Sequence, residues 1–243
     1  HSAKMLSMKT EFDEESLIQV TLDLLRTDNW KQDIYFRPTF YKADLGIGVR
    51  LHDIKDEFSI FVMAYEKYVK NDTSAHVTFS SWRRVDDNVI PARAKVAGAY
   101  VNSSLIKSDA VQSGFDEALV LDHNGHVSEG SAMNIFMVRD GALVTPPITD
   151  NILEGITRRT VIELARRELG IDVVERSIDR TEVYIAEEMF FAGTAAGVTG
   201  ITKVDHRPVG RGVMGPVTSQ LRALVDDAVR AKLPKYEHWN VAV

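Results

Sequence analysis

One lysine in this chain sits where an amine could do covalent chemistry. Lys95 lies in Ile90-Pro91-Ala92-Arg93-Ala94-Lys95-Val96-Ala97-Gly98-Ala99-Tyr100 and is flanked by small or apolar residues. An ammonium among such neighbours loses hydration, and desolvation disfavours its charged form, so a lowered pKa is expected. A neutral amine can form a Schiff base with a carbonyl. The small neighbours also leave room for a flat, bulky group against the backbone. The competing reading is a surface lysine on an Ala-rich helix, because lysine is almost never fully buried.

Three further features bear on Lys95. Ser128-Glu129-Gly130-Ser131-Ala132-Met133-Asn134 follows a strand pattern and places Glu129 among small residues. A carboxylate there needs a partner or a raised pKa, and a protonated ring nitrogen would serve; a loop glutamate in solvent is the alternative. Leu153-Glu154-Gly155-Ile156-Thr157 precedes a helix pattern. Helix N-termini offer free N–H groups and a positive dipole end, which suit a phosphate, although Thr157 could equally be an ordinary cap. Gly193-Thr194-Ala195-Ala196-Gly197 carries no bulky side chain, so its amides could bind an anion or simply make a tight turn. A Schiff-base lysine, a carboxylate for a ring nitrogen and two anion-binding turns are together what pyridoxal phosphate requires.

The elements that must position these groups follow from pattern. Asp13 caps a helix with apolar residues at Leu17, Val20 and Leu24. Ile34–Tyr41 and Phe58–Tyr65 read as strands, with Pro38 marking an edge or irregularity. The polar run around Lys70-Asn71-Asp72-Thr73-Ser74 reads as a linker. The expected domains are therefore a small one at 1–66, a linker 67–75 and a larger cofactor-holding domain 76–243. A helix is expected from about Ala94 to Ser113. Two hairpins are expected around Asn124-Gly125 and Asp140-Gly141. Thr157–Leu169 reads as a helix ending at Gly170, Ile171–Val174 as a short strand and Val183–Glu187 as a helical turn. Met189–Ala192 reads as a buried strand, and Pro216 opens a last helix to Ala231.

Composition narrows the class. The chain has 243 residues, 44% of them apolar, a formal net charge of −6 and no cysteine. No basic stripe suggests nucleic acid, and no apolar run approaches the length of a membrane span. Without cysteine there is neither a disulfide nor a thiolate metal site, and no metal is expected. The start does not read as a signal peptide, so the cytoplasm is the expected setting. The opening His1-Ser2-Ala3-Lys4-Met5-Leu6 lacks an initiator Met and reads as the middle or end of a helix. A longer chain is therefore expected.

Taken in order, Tyr35-Phe36-Arg37-Pro38, Lys95 to Tyr100, Ser128-Glu129-Gly130 with Asn134, Gly155-Ile156-Thr157-Arg158 and Gly193-Thr194-Ala195-Ala196 give a sequence that resembles the class IV (fold-type IV) pyridoxal-phosphate aminotransferases. It is most similar to the branched-chain amino acid aminotransferases, over essentially its whole length. The resemblance implies an α+β fold of two domains and a homodimer or larger assembly with sites near the subunit interface. It implies that Lys95 is the Schiff-base lysine and proton shuttle, that Tyr100 bonds the cofactor's phenolic oxygen and that Glu129 pairs with the pyridinium nitrogen. Ile156, Thr157 and Thr194 would hold the phosphate, and Leu153 would pack on the ring. Ala195 and Ala196 would offer amides to the substrate α-carboxylate. Tyr35 and Arg37 would line the side-chain pocket, Arg37 serving the distal carboxylate of glutamate, and Val49 would reach the neighbouring subunit's site.

Two departures stand out. Gly197 occupies a position where many branched-chain enzymes carry Glu. The family's first strands, which supply an arginine to the phosphate and further pocket residues, are expected in the segment preceding His1. The implied activity is transamination between branched-chain L-amino acids and 2-oxoglutarate. Rivals within the family are D-amino acid and (R)-amine transaminases and aminodeoxychorismate lyase; outside it, a cofactor-free binding protein on the same fold. Tyr35-Phe36-Arg37-Pro38 and Gly46-Ile47-Gly48-Val49 favour the branched-chain reading, and the presence of Lys95 and Glu129 disfavours the last rival.

Overall fold

The computed structural model describes residues 1–28, 30–66 and 69–243. It is a mixed α+β structure of two compact units, His1–Glu66 with Val241–Val243, and Lys67–Asn240. The expected linker 67–75 begins on Lys67 and Tyr68, which lie outside the described residues. From Val69 onward the segment is anchored within the larger unit. Val69 is in its core, and Asp72 pairs with Arg222 at 2.8 Å.

The smaller unit holds a short helix α1 (Ser2–Met5), a helix α2 (Glu14–Asp28) and an antiparallel pair, β1 (Ile34–Lys42) with β2 (Asp56–Ala64). Asp13 opens α2 as its sequence suggests, its carboxylate accepting the Ser16 N–H at 2.8 Å. Alternation along β1 puts Tyr35 and Arg37 on one face, opposite Met63 and Phe61 respectively. Among the described residues β1 pairs with β2 alone, which leaves its other side open at Pro38.

The larger unit is built on a nine-stranded sheet. In chain order its strands are β3 (Ala75–Arg83), β4 (Glu117–Leu121), β5 (Val127–Gly130), β6 (Asn134–Arg139), β7 (Ala142–Thr145), β8 (Val173–Glu175), β9 (Glu188–Gly193), β10 (Gly197–Val204) and β11 (Arg207–Pro208). They pair in the order β5-β4-β3-β10-β9-β6-β7-β8, with β11 on β10. Pairing is parallel for β3 with β4 and β10, and for β7 with β8. The sheet curls until β5 meets β6, where the Gly130 N–H donates to Met133 O at 2.7 Å. Helices α3 (Tyr100–Gln112), α4 (Ile156–Glu168) and α5 (Pro216–Val229) pack outside it.

Period-two alternation divides the core. Phe191, Ile135, Met137, Val77 and Leu119 fill the inside of the curl. Phe190, Phe136 and Val138 point the other way, against Val161 and Leu164 of α4 and Leu221 and Val225 of α5. Ile106 and Ala110 of α3 cover Ala118 and Val120 of β4.

Both expected hairpins form, the one at Asp140-Gly141 on the tight turn its dipeptide suggests. Asp140 and Gly141 have φ of 51° and 75°, the positive pair that a tight hairpin turn requires. The β4–β5 connection is longer, running from Asp122 to His126. Three features depart from the sequence reading. The helix expected from Ala94 starts only at Tyr100, preceded by a 3-10 turn at Ala97–Ala99. Strand β10 had no pattern of its own, because Gly197 and Gly200 interrupt it. Gly200 sits in a tight place: a Cβ there would lie 3.1 Å from Met214 Cγ and 3.2 Å from Thr73 O. The expected helical turn at Val183–Glu187 is a 3-10 turn at Glu182–Ile185.

The packing of β9 and β6 against α4 and α5 rests on the stacked rings of Phe136 and Phe190, 5.0 Å apart and both fully buried. Phe190→Ala is expected to destabilise the protein by about 3–5 kcal/mol, read as a lower denaturation midpoint. A loss below about 1 kcal/mol would mean that this layer collapses around the deletion.

Candidate active site

Glu129 lies on β5, not in a solvated loop, and is 3% exposed. Its Oε1 pairs with Arg84 Nη2 at 2.8 Å. Its Oε2 accepts the Asn134 side-chain amide at 3.0 Å and the Leu153 N–H at 3.3 Å. Burial pushes the Glu129 carboxyl above the usual carboxylate range, while Arg84, the Leu153 N–H and the charge of Lys95 pull it back.

Asn134 ties this carboxylate to its surroundings. Its amide nitrogen also donates to Leu153 O at 2.9 Å, and its backbone pairs with Ala192 on β9. The end of β9 carries the Thr194–Ala196 turn, closed by the Gly193–Gly197 pair and by the Thr199 hydroxyl on Ala196 O at 2.9 Å. Thr194 is exposed, and Ala195 and Ala196 are partly so.

Gly155 is the N-cap residue of α4, with no side-chain cap and no acidic residue in the first turn. The positive end of the helix dipole is thus left for an external anion. A side chain at position 155 would overlap Asn134 Oδ1, so the close approach requires glycine. Ile156 is 71% exposed and Thr157 half-buried at the same end. Arg158 is buried and anchors this turn through Pro146 O at 2.9 Å and Glu175 at 2.7 Å.

Lys95 is exposed in this chain. The segment before α3 is irregular, and Ala97 and Gly98 are themselves too small to cover a long side chain. Lys95 is positioned instead by its Nζ donating to Tyr100 Oη at 2.7 Å, with the ring centroid 5.3 Å away. Lys95, Tyr100, Glu129, Leu153, Ile156, Thr157 and Thr194–Ala196 all belong to the larger unit. Tyr35, Arg37 and Val49 belong to the smaller unit. There the Arg37 guanidinium lies 5.6 Å from the Tyr35 ring and 5.9 Å from the Phe61 ring, and Val49 is fully exposed. Arg84 has no distinguishing local sequence signal. Asn134 had one, standing in the same small-residue stretch as Glu129.

These residues fit a phosphorylated pyridine: a buried carboxylate, an amine beside a phenol, and an uncapped helix end held against that carboxylate by one asparagine. Residues 1–204 match the family model described as Amino-transferase class IV. The chain belongs to that family. It is 43% identical over 242 residues to the probable branched-chain-amino-acid aminotransferase of Aquifex aeolicus (strain VF5), covering 100% of this chain and 78% of the relative. The branched-chain amino acid aminotransferase of Thermobaculum terrenum in its PLP form superposes with a TM-score of 0.92 at 39% identity, covering 98% of this chain and 78% of that one. The branched-chain aminotransferase of Thermoproteus uzoniensis with norvaline gives a TM-score of 0.93 at 39% identity, covering 98% of this chain and 78% of that one.

Removing Arg84 would leave Glu129 buried without its cation. Arg84→Met is expected to cost about 3–5 kcal/mol of stability and to raise the Glu129 carboxyl further. A raised native pKa adds stability that is present below the ordinary value of 4.5 and lost as pH climbs through the native value. Denaturation midpoints should therefore fall more steeply above pH 4.5 in Arg84→Met than in the wild type. Parallel pH profiles would sink the pairing.

Proposed function

We propose that the protein transfers amino groups between branched-chain L-amino acids and 2-oxoglutarate with pyridoxal phosphate. The observation that carries this reading is the similarity, along the whole of this chain, to a branched-chain aminotransferase at 43% identity, joined to a site whose residues fit the cofactor. When bound, pyridoxal phosphate supplies a carbonyl carbon that condenses with amines and a ring that takes up an electron pair. The chain's own residues do the rest.

Lys95 Nζ is the amine that holds the cofactor between turnovers and moves the proton at the substrate α-carbon. Tyr100 orients that amine and would bond the cofactor's phenolic oxygen. Glu129, held by Arg84 and Asn134, keeps a proton on the ring nitrogen. The first turn of α4, with Ile156, Thr157 and the Gly155 approach, would hold the phosphate together with Thr194, and Leu153 would pack on the ring. The Ala195 and Ala196 amides face the substrate α-carboxylate. Tyr35, Arg37 and Val49 select the side chain. The proposed organisation is a small domain at 1–66 and a cofactor domain at 76–243, joined by 67–75, whose part from Val69 packs with the larger unit, in a cytoplasmic homodimer or larger assembly. Among the described residues no helix is long and apolar enough to cross a membrane.

A donor panel with 2-oxoglutarate tests the reading. Leucine, isoleucine and valine should be converted well ahead of D-alanine and (R)-1-phenylethylamine; the reverse order would overturn it. Lys95→Ala should lose turnover and the borohydride-reducible visible band. Its stability should stay within about 0.5 kcal/mol of wild type, as for other exposed positions. Retained turnover in that variant would refute the assignment of Lys95.

Arg37 gives a second test. Among the described residues it pairs with no carboxylate and lies over two rings. A guanidinium so placed can grip a γ-carboxylate bidentately or swing aside for leucine. Arg37→Ala should lower kcat/KM for glutamate and 2-oxoglutarate by roughly ten- to hundredfold, the worth of a charge-assisted bond of about 1.5–3 kcal/mol, with leucine much less affected. Equal losses would indicate a structural role.

A further inference from the structure

Apart from the buried glutamate, the larger unit holds a group of buried acids that the proposed chemistry does not use. Asp122 and His126 bound the β4–β5 turn, and Asp150 lies in the loop leading to α4. Among the described residues these three each place one ligand atom so that all lie within 4.8 Å of one another. Asp122 and Asp150 are 1% and 6% exposed, whereas the His126 side chain is half-buried and open on one side.

The carboxylates are unequally satisfied. Asp122 Oδ1 accepts the His126 N–H at 2.9 Å. Asp150 Oδ2 is buried and has no hydrogen-bond partner. Native structures pair nearly all buried polar atoms, and exceptions such as Oδ2 ask for an unplaced water or ion. Neither neighbouring charge supplies the missing partner. Arg83 Nη1 donates to the Asp122 main-chain oxygen at 3.3 Å, and the outer Asp179 stands 3.7 Å from His126 Nε2. Two buried carboxylates facing one another repel, and a cation between them removes both penalties.

We propose that Asp122, His126 and Asp150 form a divalent-cation site that braces the loop at 146–155 against the β4–β5 hairpin. One imidazole nitrogen and two carboxylate oxygens suit a first-row ion such as Mn²⁺ or Zn²⁺. Water completes the coordination on the open His126 side. The ion would act at a distance from the reacting atoms. Asp150 precedes Asn151, whose main-chain oxygen accepts from Arg84 Nε at 3.2 Å, and Leu153, whose N–H reaches Glu129. This replaces the sequence-based expectation of no metal. It rests on the geometry of these three side chains and not on the substrate.

The test is a titration of the chelator-treated full chain, with its cofactor bound, using Mn²⁺ followed by electron paramagnetic resonance, and a parallel Zn²⁺ titration by calorimetry. One ion should bind per chain, and the melting temperature should rise with metal concentration by mass action. Asp150→Asn and His126→Gln should each weaken binding by at least about tenfold, the loss seen even for partners one shell further out. His126→Gln, at a partly exposed position, carries the comparison should Asp150→Asn not fold. Absence of saturable binding of either ion would overturn the proposal. So would equal binding by the wild type and the folded variants, which would place the metal on the cofactor phosphate or elsewhere.

Discussion

A carboxylate with almost no water around it sets the terms for the larger unit. An ionised glutamate at the position of Glu129 is tolerable only if paired and hydrogen-bonded on both oxygens. Its three partners come from three places: Arg84 just beyond β3, Asn134 at the start of β6 and Leu153 in the loop before α4. Satisfying one charge therefore fixes the mutual placement of a sheet edge, a central strand and a helix entry. Taking away one partner leaves the others facing a buried charge, which is why such clusters resist piecemeal change.

Asn134 carries this further, because one amide serves two elements. Its NH₂ group bonds both the Glu129 carboxylate and the Leu153 carbonyl, while its Oδ1 occupies the space that any side chain at position 155 would need. The uncapped start of α4 is thus held at a set distance from the buried carboxylate. By contrast, the start of α5 is filled from within: Glu188 accepts from the Val217 and Thr218 N–H groups at 3.1 and 2.8 Å. Two helix ends on the same sheet differ in that one is closed by the protein's own carboxylate and the other has no side-chain cap.

What was legible in the sequence follows from how local each cause is. The Asp140-Gly141 turn, the Asp13 cap and the apolar runs of β2 and β9 depend on neighbours in the chain, and the pattern displays them. Lys95, Glu129 and the Gly155 helix entry showed through unusual residue types in small-residue company. Strand β10 was hidden because Gly200 answers to Met214 and Thr73, contacts that no local pattern records. Arg84 was hidden for the same reason: an arginine beside Arg83 looks like solvated charge until its partner on β5 is known. The start of α3 was misplaced because Ala94 to Ala99 is rich in small residues yet lies in an irregular segment and a 3-10 turn.

The exposure of Lys95 fits this division. Residues that set electrostatics, such as Glu129 and Arg84, are fixed on or beside strands by several bonds each. The amine stands on irregular backbone, steadied by the phenol of Tyr100 at the first residue of α3. Under the proposed function that amine must bond to the cofactor, leave it and carry a proton, so its long side chain has to occupy more than one position within each turnover. A deeply packed lysine would lose up to about 2 kcal/mol of rotamer freedom and would have to regain it at every step. An amine on irregular backbone next to a charge cluster held by several bonds separates the two requirements: under the proposed function the bonds of Glu129 set the field, and the lysine side chain alone has to move.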